Sequence, residues 1–120
     1  MRIITNSSRL SHSAPLFKQL SILPVYDINN LQVGCFMYSA VNRLLPQCFS
    51  SMFVTNSTLH SYSTRRHNDI HQTQFRLNIT KFSIRVYGAL LWNSLNSEIK
   101  CLPTLSSFKN RYKQNLIASL

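Results

Sequence analysis

Apolar residues fall into helical spacing over three stretches of this chain and into alternation over one. In SAPLFKQLSILP, residues 13–24, Leu16, Leu20 and Leu23 lie along one side. Ser13 is placed to cap, Pro15 sits in the first turn and Pro24 closes the run, so the spacing predicts a short helix. The next segment, VYDINNLQVGCFMYSAVNRLLP, carries two stripes: Leu31, Cys35, Tyr38, Val41 and Leu45, and then Val33, Met37, Ala40 and Leu44. A helix apolar on two faces belongs in a core, with Asp27 as its N-cap and Pro46 as its stop. The tail PTLSSFKNRYKQNLIASL predicts an amphipathic C-terminal helix. Thr104 caps it, Leu105, Phe108, Tyr112 and Leu116 form the stripe, and Lys109, Arg111 and Lys113 lie off it.

The alternating stretch is FRLNITKFSIRVY. Phe75, Leu77 and Ile79 take odd positions, and Phe82, Ile84 and Val86 take even ones. One flat strand cannot switch parity at Thr80–Lys81 and keep one face buried, so a bulge or a tight reversal is expected there. Either form leaves Arg76, Lys81 and Arg85 on the wet side. Gly88 then permits a turn into ALLWNSL, whose Trp92 supplies a large buried area. QCFSSMFV adds a short helix or turn. Thr55 to Gln74 is a polar loop by composition, and a loop of that length is functional or disordered. The expected fold is therefore mainly α with a short β element (α+β), a strand pair or bulged strand around 75–87. Its divisions are a helical segment 1–54, the loop 55–74, and a strand–turn–helix and C-terminal helix segment 75–120.

Composition narrows this further. A chain of 120 residues is one domain or part of one, and 44% apolar with 13% charged residues excludes a disordered tail. No run approaches the roughly 18 apolar residues of a membrane span. The N-terminus lacks the apolar core of a secretory signal. Cys35, Cys48 and Cys101 have no paired spacing, which suits a reduced chain. An intracellular protein of nucleus or cytoplasm, neither secreted nor a membrane protein, is expected. Thirteen Lys and Arg against Asp27, Asp69 and Glu98 give a net charge of +10. Such a balance fits phosphate first and anionic membrane surface second, while its plainest role is to keep the chain soluble.

Candidate chemistry is thin. Three carboxylates far apart in sequence do not make a two-metal centre, and each serves as a cap or surface group. His67 and His71 are four apart, with His60 and Cys48 elsewhere, but they lack the paired ligands of zinc modules. No catalytic residue, metal site or cofactor is expected. What remains is cations interleaved with aromatics: Arg65 and Arg66 near Tyr62 and His67; Arg76, Lys81 and Arg85 near Tyr87; Lys109, Arg111 and Lys113 around Tyr112. Cations on phosphate with rings on bases hold nucleic acid without reading its sequence. RNA, DNA or an RNA–DNA hybrid, held by its phosphate backbone, is the expected partner.

Five runs carry a family resemblance: APLFKQLSILPVYDIN, LQVGCFMYSAVNRLLPQCFSSMF, HSYSTRRHNDIH, KFSIRVYGALLWNSLNSEIK and LSSFKNRYKQNLI. Together they resemble the C-terminal part of non-LTR (LINE-type, Jockey-like) retrotransposon reverse transcriptases, over essentially the whole chain. The family's form of one run is Gly-Pro-Lys-Leu/Ile-Trp-Asn-Ser-Leu-Pro. Gly88, Trp92, Asn93, Ser94 and Leu95 match it, while Ala89, Leu90 and Asn96 stand where Pro, Lys and Pro are usual. The resemblance implies a thumb-like helical segment in 1–54, which grips template–product duplex, followed by a post-polymerase segment. It also implies that the catalytic palm, with its aspartate pair, and the endonuclease lie outside this chain, so the fragment is not itself an enzyme. The missing palm becomes a possible partner. The alternatives are a non-functional translated relic of a decayed element, or a domesticated interaction module docking through Leu105, Phe108, Tyr112 and Leu116.

Overall fold

The computed structural model describes residues 2–120, and the described chain is built of helices and turns without a sheet. Six α-helices follow one another: α1 (Ser13–Gln19), α2 (Val25–Val41), α3 (Asn56–Leu59), α4 (Ala89–Ser94), α5 (Ser97–Lys100) and α6 (Leu105–Ala118). Short 3-10 turns span Gln47–Phe49 and Asn78–Phe82, and a π-turn spans Ile84–Gly88. The expectation of a mainly α chain holds.

The long helix α2 organises the rest. It begins two residues before Asp27, with Pro24 at the cap, where a fixed φ and the missing N–H cost nothing. Asp27 instead lies in the first turn, favourably placed for the helix dipole. The end comes before Pro46: Asn42 caps, and Arg43 takes a left-handed φ of 56°. Leu44 N–H then donates back to Ser39 carbonyl at 2.8 Å, satisfying an orphan acceptor of the last turn. Leu31, Gly34, Met37 and Tyr38 are its buried residues.

Helix α6 packs on α2, and its cap is the one expected: Thr104 Oγ1 accepts from the Ser107 N–H at 3.2 Å. The approach is close because of Gly34. A Cβ there would lie 2.6 Å from Tyr112 Cε1, so only glycine admits the ring. Phe108 and Tyr112 are buried in the chain's own core, beside Trp92, Tyr38 and Ile99. The stripe considered as a docking face is thus already covered at its centre, and of its four residues only Leu105 is exposed. Residues from 1–54 and 75–120 share this single core.

The β element around 75–87 is absent. Phe75, Leu77, Ile79 and Phe82 are exposed, and Asn78–Phe82 coils into a 3-10 turn. The π-turn Ile84–Gly88 runs straight into α4, burying Val86, Ala89 and Trp92 at intervals of three. The physical reason is partnership. A strand leaves its N–H and C=O groups to a neighbour, and among the described residues no second strand lies beside this segment, whereas a helix satisfies them locally. Gly88 needs correcting for the same reason: at φ −61° and ψ −44° it is helical and makes no turn. Its lack of a side chain serves packing, since a Cβ would sit 2.6 Å from Met37 Sδ on α2.

The molecule is extended, 58 × 36 × 29 Å, with a radius of gyration of 17.3 Å. A compact domain of this length has roughly 14 Å. Its 9033 Å² of accessible surface likewise exceeds the roughly 6,700 Å² of a compact monomer of this mass. No helix among the described residues is long and apolar enough to cross a membrane.

Candidate nucleic-acid interface

Within the run Trp92–Leu95, one residue fastens the basic loop to α4 while its neighbours anchor α4 in the core. Trp92 is 6% exposed and stacks obliquely near Phe108, ring centroids 5.9 Å apart. Asn93 clamps a backbone. Its Nδ2 donates to the Ile70 carbonyl at 2.9 Å, and the Ile70 N–H donates to its Oδ1 at 3.0 Å. Ser94 Oγ donates to the Leu91 carbonyl at 2.7 Å, and Leu95 packs against the core. A helical face explains Trp92 from sequence alone; the Asn93 clamp bridges 23 residues and has no local signal.

Ile70 is the buried foot of the loop. It pairs antiparallel with Thr55, and His71 N–H donates to the Val54 carbonyl at 2.7 Å. Inside this closure Asn56 Nδ2 donates to the Arg66 carbonyl at 2.9 Å, and the Ser57 N–H to the His67 carbonyl at 2.9 Å. The polar stretch is therefore a closed, hydrogen-bonded loop that holds Arg66 beside α4. Arg66, Asn56, Asp69, His71 and Asn93 line a cleft of ≈ 540 Å³ there.

All eight candidate cations are exposed: Arg65, Arg66, Arg76, Lys81, Arg85, Lys109, Arg111 and Lys113. None of their side chains makes a hydrogen bond or ion pair among the described residues. Other cations are committed internally. Arg2 donates to the Ser11 carbonyl, and Lys18 to the Ala118 carbonyl. Lys100 donates to the Asn93 carbonyl at 3.3 Å and lies 6.0 Å from the Trp92 ring centroid. Burial there pushes its ammonium below the usual lysine range, against the pull of Asp69 and Cys101. On α6 the candidates divide. Lys109 and Lys113 are four apart and share a flank, while Arg111 points about 160° round the helix from both. One phosphate track cannot meet all three.

The aromatic partners are partly different from those expected. Tyr62 is 76% exposed and free to stack, but Tyr112 is core and Tyr87 donates its hydroxyl to Asn30 Oδ1. Phe82, expected on a buried strand face, is instead 77% exposed between Lys81 and Arg85. Among the described residues no group of three or more His, Cys, Asp or Glu could hold a metal ion.

The buried phenol of Tyr112 is expected to make the fold alkali-sensitive. Burial, then the neighbouring Tyr87, Asp27 and Cys35, push its pKa up to about 12. In the unfolded chain the phenol ionises near pH 10. The stability held by the neutral phenol is present below pH 10 and falls by about 1.4 kcal/mol per pH unit from there towards 12. Urea unfolding at pH 8, 10 and 11 measures this, and Tyr112→Phe is expected to flatten the decline while leaving neutral-pH stability nearly unchanged. An equal alkaline loss in both proteins would remove Tyr112 as its cause.

Comparison of the chain with protein-family models, with curated proteins and with solved structures finds no match.

Proposed function

We propose that this chain is a piece of a LINE-type, Jockey-like non-LTR retrotransposon reverse transcriptase, from the thumb and post-polymerase region. Its own capacity is sequence-independent binding of RNA, DNA or their hybrid inside the cell, in nucleus or cytoplasm. The observation that carries this is the set of eight exposed cations that make no side-chain hydrogen bond or ion pair among the described residues, on a chain of net charge +10. Cations retained by the fold, such as Lys100, are distinct from them. The chain's three carboxylates, Asp27, Asp69 and Glu98, lie far apart in sequence, so the reading assigns it no polymerase chemistry. Resemblance over several separate motifs in one order supports the family, the Trp92–Leu95 run among them.

The excess surface supports the missing palm as a partner. A shortfall of burial of roughly 2,300 Å² is of the order of a permanent interface. The same observation favours a second reading, a translated relic left without the domain it packed against. A broad, non-cooperative melt with dye-binding apolar surface would support the relic.

The binding reading is tested by fluorescence anisotropy of a labelled duplex at several salt concentrations. Each phosphate neutralised adds about 0.9 to the slope of log affinity against log salt. With three phosphates engaged, affinity should fall roughly 40-fold between 50 and 200 mM salt. Affinity that stays flat over that range would sink the proposal.

A further inference from the structure

We infer that the preferred ligand of this surface is single-stranded nucleic acid rather than duplex, with Phe82 and Tyr62 as the stacking rings. The inference rests on the binding reading above and specifies its substrate class. Residues 71–82 are exposed without a break, twelve in succession, and contain cations but no acid. Within them Phe82 is 77% exposed, next to Lys81 and three residues before Arg85. The loop repeats the arrangement: Tyr62 is 76% exposed and stands three and four residues before Arg65 and Arg66. Among the described residues neither ring makes a hydrogen bond or a ring contact.

Duplex and single strand differ in what they offer such a surface. A duplex presents phosphates, which satisfy the cations, but its base faces are already stacked on each other. Exposed rings gain nothing from it. Unpaired bases present a π-face at every nucleotide, so a ring beside a cation gains stacking together with phosphate attraction. Leu77 and Ile79, equally exposed, have no π-face and add only apolar area. A lipid surface would use them as readily as the rings, which makes anionic vesicles the necessary competitor.

The full 120-residue chain is titrated at one salt concentration against labelled oligothymidylate, a duplex of equal length, and phosphatidylserine-containing vesicles. Tighter binding to the single strand is expected. Phe82→Leu and Tyr62→Leu keep apolar bulk and remove the ring; each should weaken single-strand binding about ten-fold and leave duplex binding unchanged. Both positions are exposed, and matching thermal melts verify that the variants fold. Equal affinity for strand and duplex, untouched by either variant, would overturn this inference while leaving the binding reading intact. Failure to bind either nucleic acid would overturn both, and strong binding to vesicles in that case would assign the surface to lipid.

Discussion

Phe108→Ala should destabilise the protein by about 3–5 kcal/mol, the largest effect of any single truncation in the core. Phe108 is wholly buried and lies at the meeting of three elements. Its ring centroid is 4.8 Å from that of Tyr38 on α2, 5.9 Å from Trp92 on α4 and 5.7 Å from Tyr112 on its own helix. Removing it opens a cavity among rigid rings that collapse poorly, so the cavity cost adds to the lost transfer energy. Against a total of about 5–15 kcal/mol for an ordinary domain, that is much of the available stability. Leu105→Ala on the same stripe, 38% exposed, should cost under about 1 kcal/mol. Urea unfolding of both variants separates the readings of this chain. A large gap between them marks a cooperative core, whereas two indistinguishable, shallow transitions would mark a relic without one.

The contrast between those two leucine and phenylalanine positions also marks what could be read from sequence. The amphipathic stripe of α6 and its Thr104 cap are local features, set by spacing and one side chain, and both stand as expected. Which residues of the stripe are covered, and by what, depends on α2 and α4. Tyr112 reads as a stacking ring beside Lys109 and Arg111, yet Gly34 on α2 provides the gap that receives it. Alternation over 75–87 was legible as a pattern but not as a strand, because a strand requires a neighbour and the segment has none. The parity switch at Thr80–Lys81 carried that information: it falls inside the exposed 3-10 turn Asn78–Phe82, just ahead of the π-turn that leads into α4. Exposure of the eight cations follows from charge hydration. Their freedom from internal acceptors is the part that needed coordinates, as Lys100 illustrates by having lost it.

Asn93→Ala should cost about 2–4 kcal/mol, more than an asparagine on a short helix ordinarily commands. The amide is a two-way clamp: it satisfies both the donor and the acceptor of Ile70, a residue 4% exposed. Alanine leaves both part-buried backbone groups without their partners, and each unsatisfied group costs about 1–3 kcal/mol. The loss should be local before it is global. Closure at Thr55–Ile70 would loosen, and hydrogen exchange at the Ile70 amide should accelerate well beyond that of the Phe108 amide in α6. Asn93→Asp separates the two halves of the clamp. Its carboxylate still accepts from the Ile70 N–H but faces the Ile70 carbonyl without a hydrogen to donate, so it should be destabilised nearly as much as alanine. Were only acceptance needed, Asn93→Asp would behave like the wild type and the two-way clamp would be wrong. Since Arg66 is held beside α4 by the same closure, its freed loop should also bind nucleic acid less tightly at equal charge. The Trp-Asn-Ser-Leu run thus acts through contacts inside this chain, one residue to the core and the next to the loop.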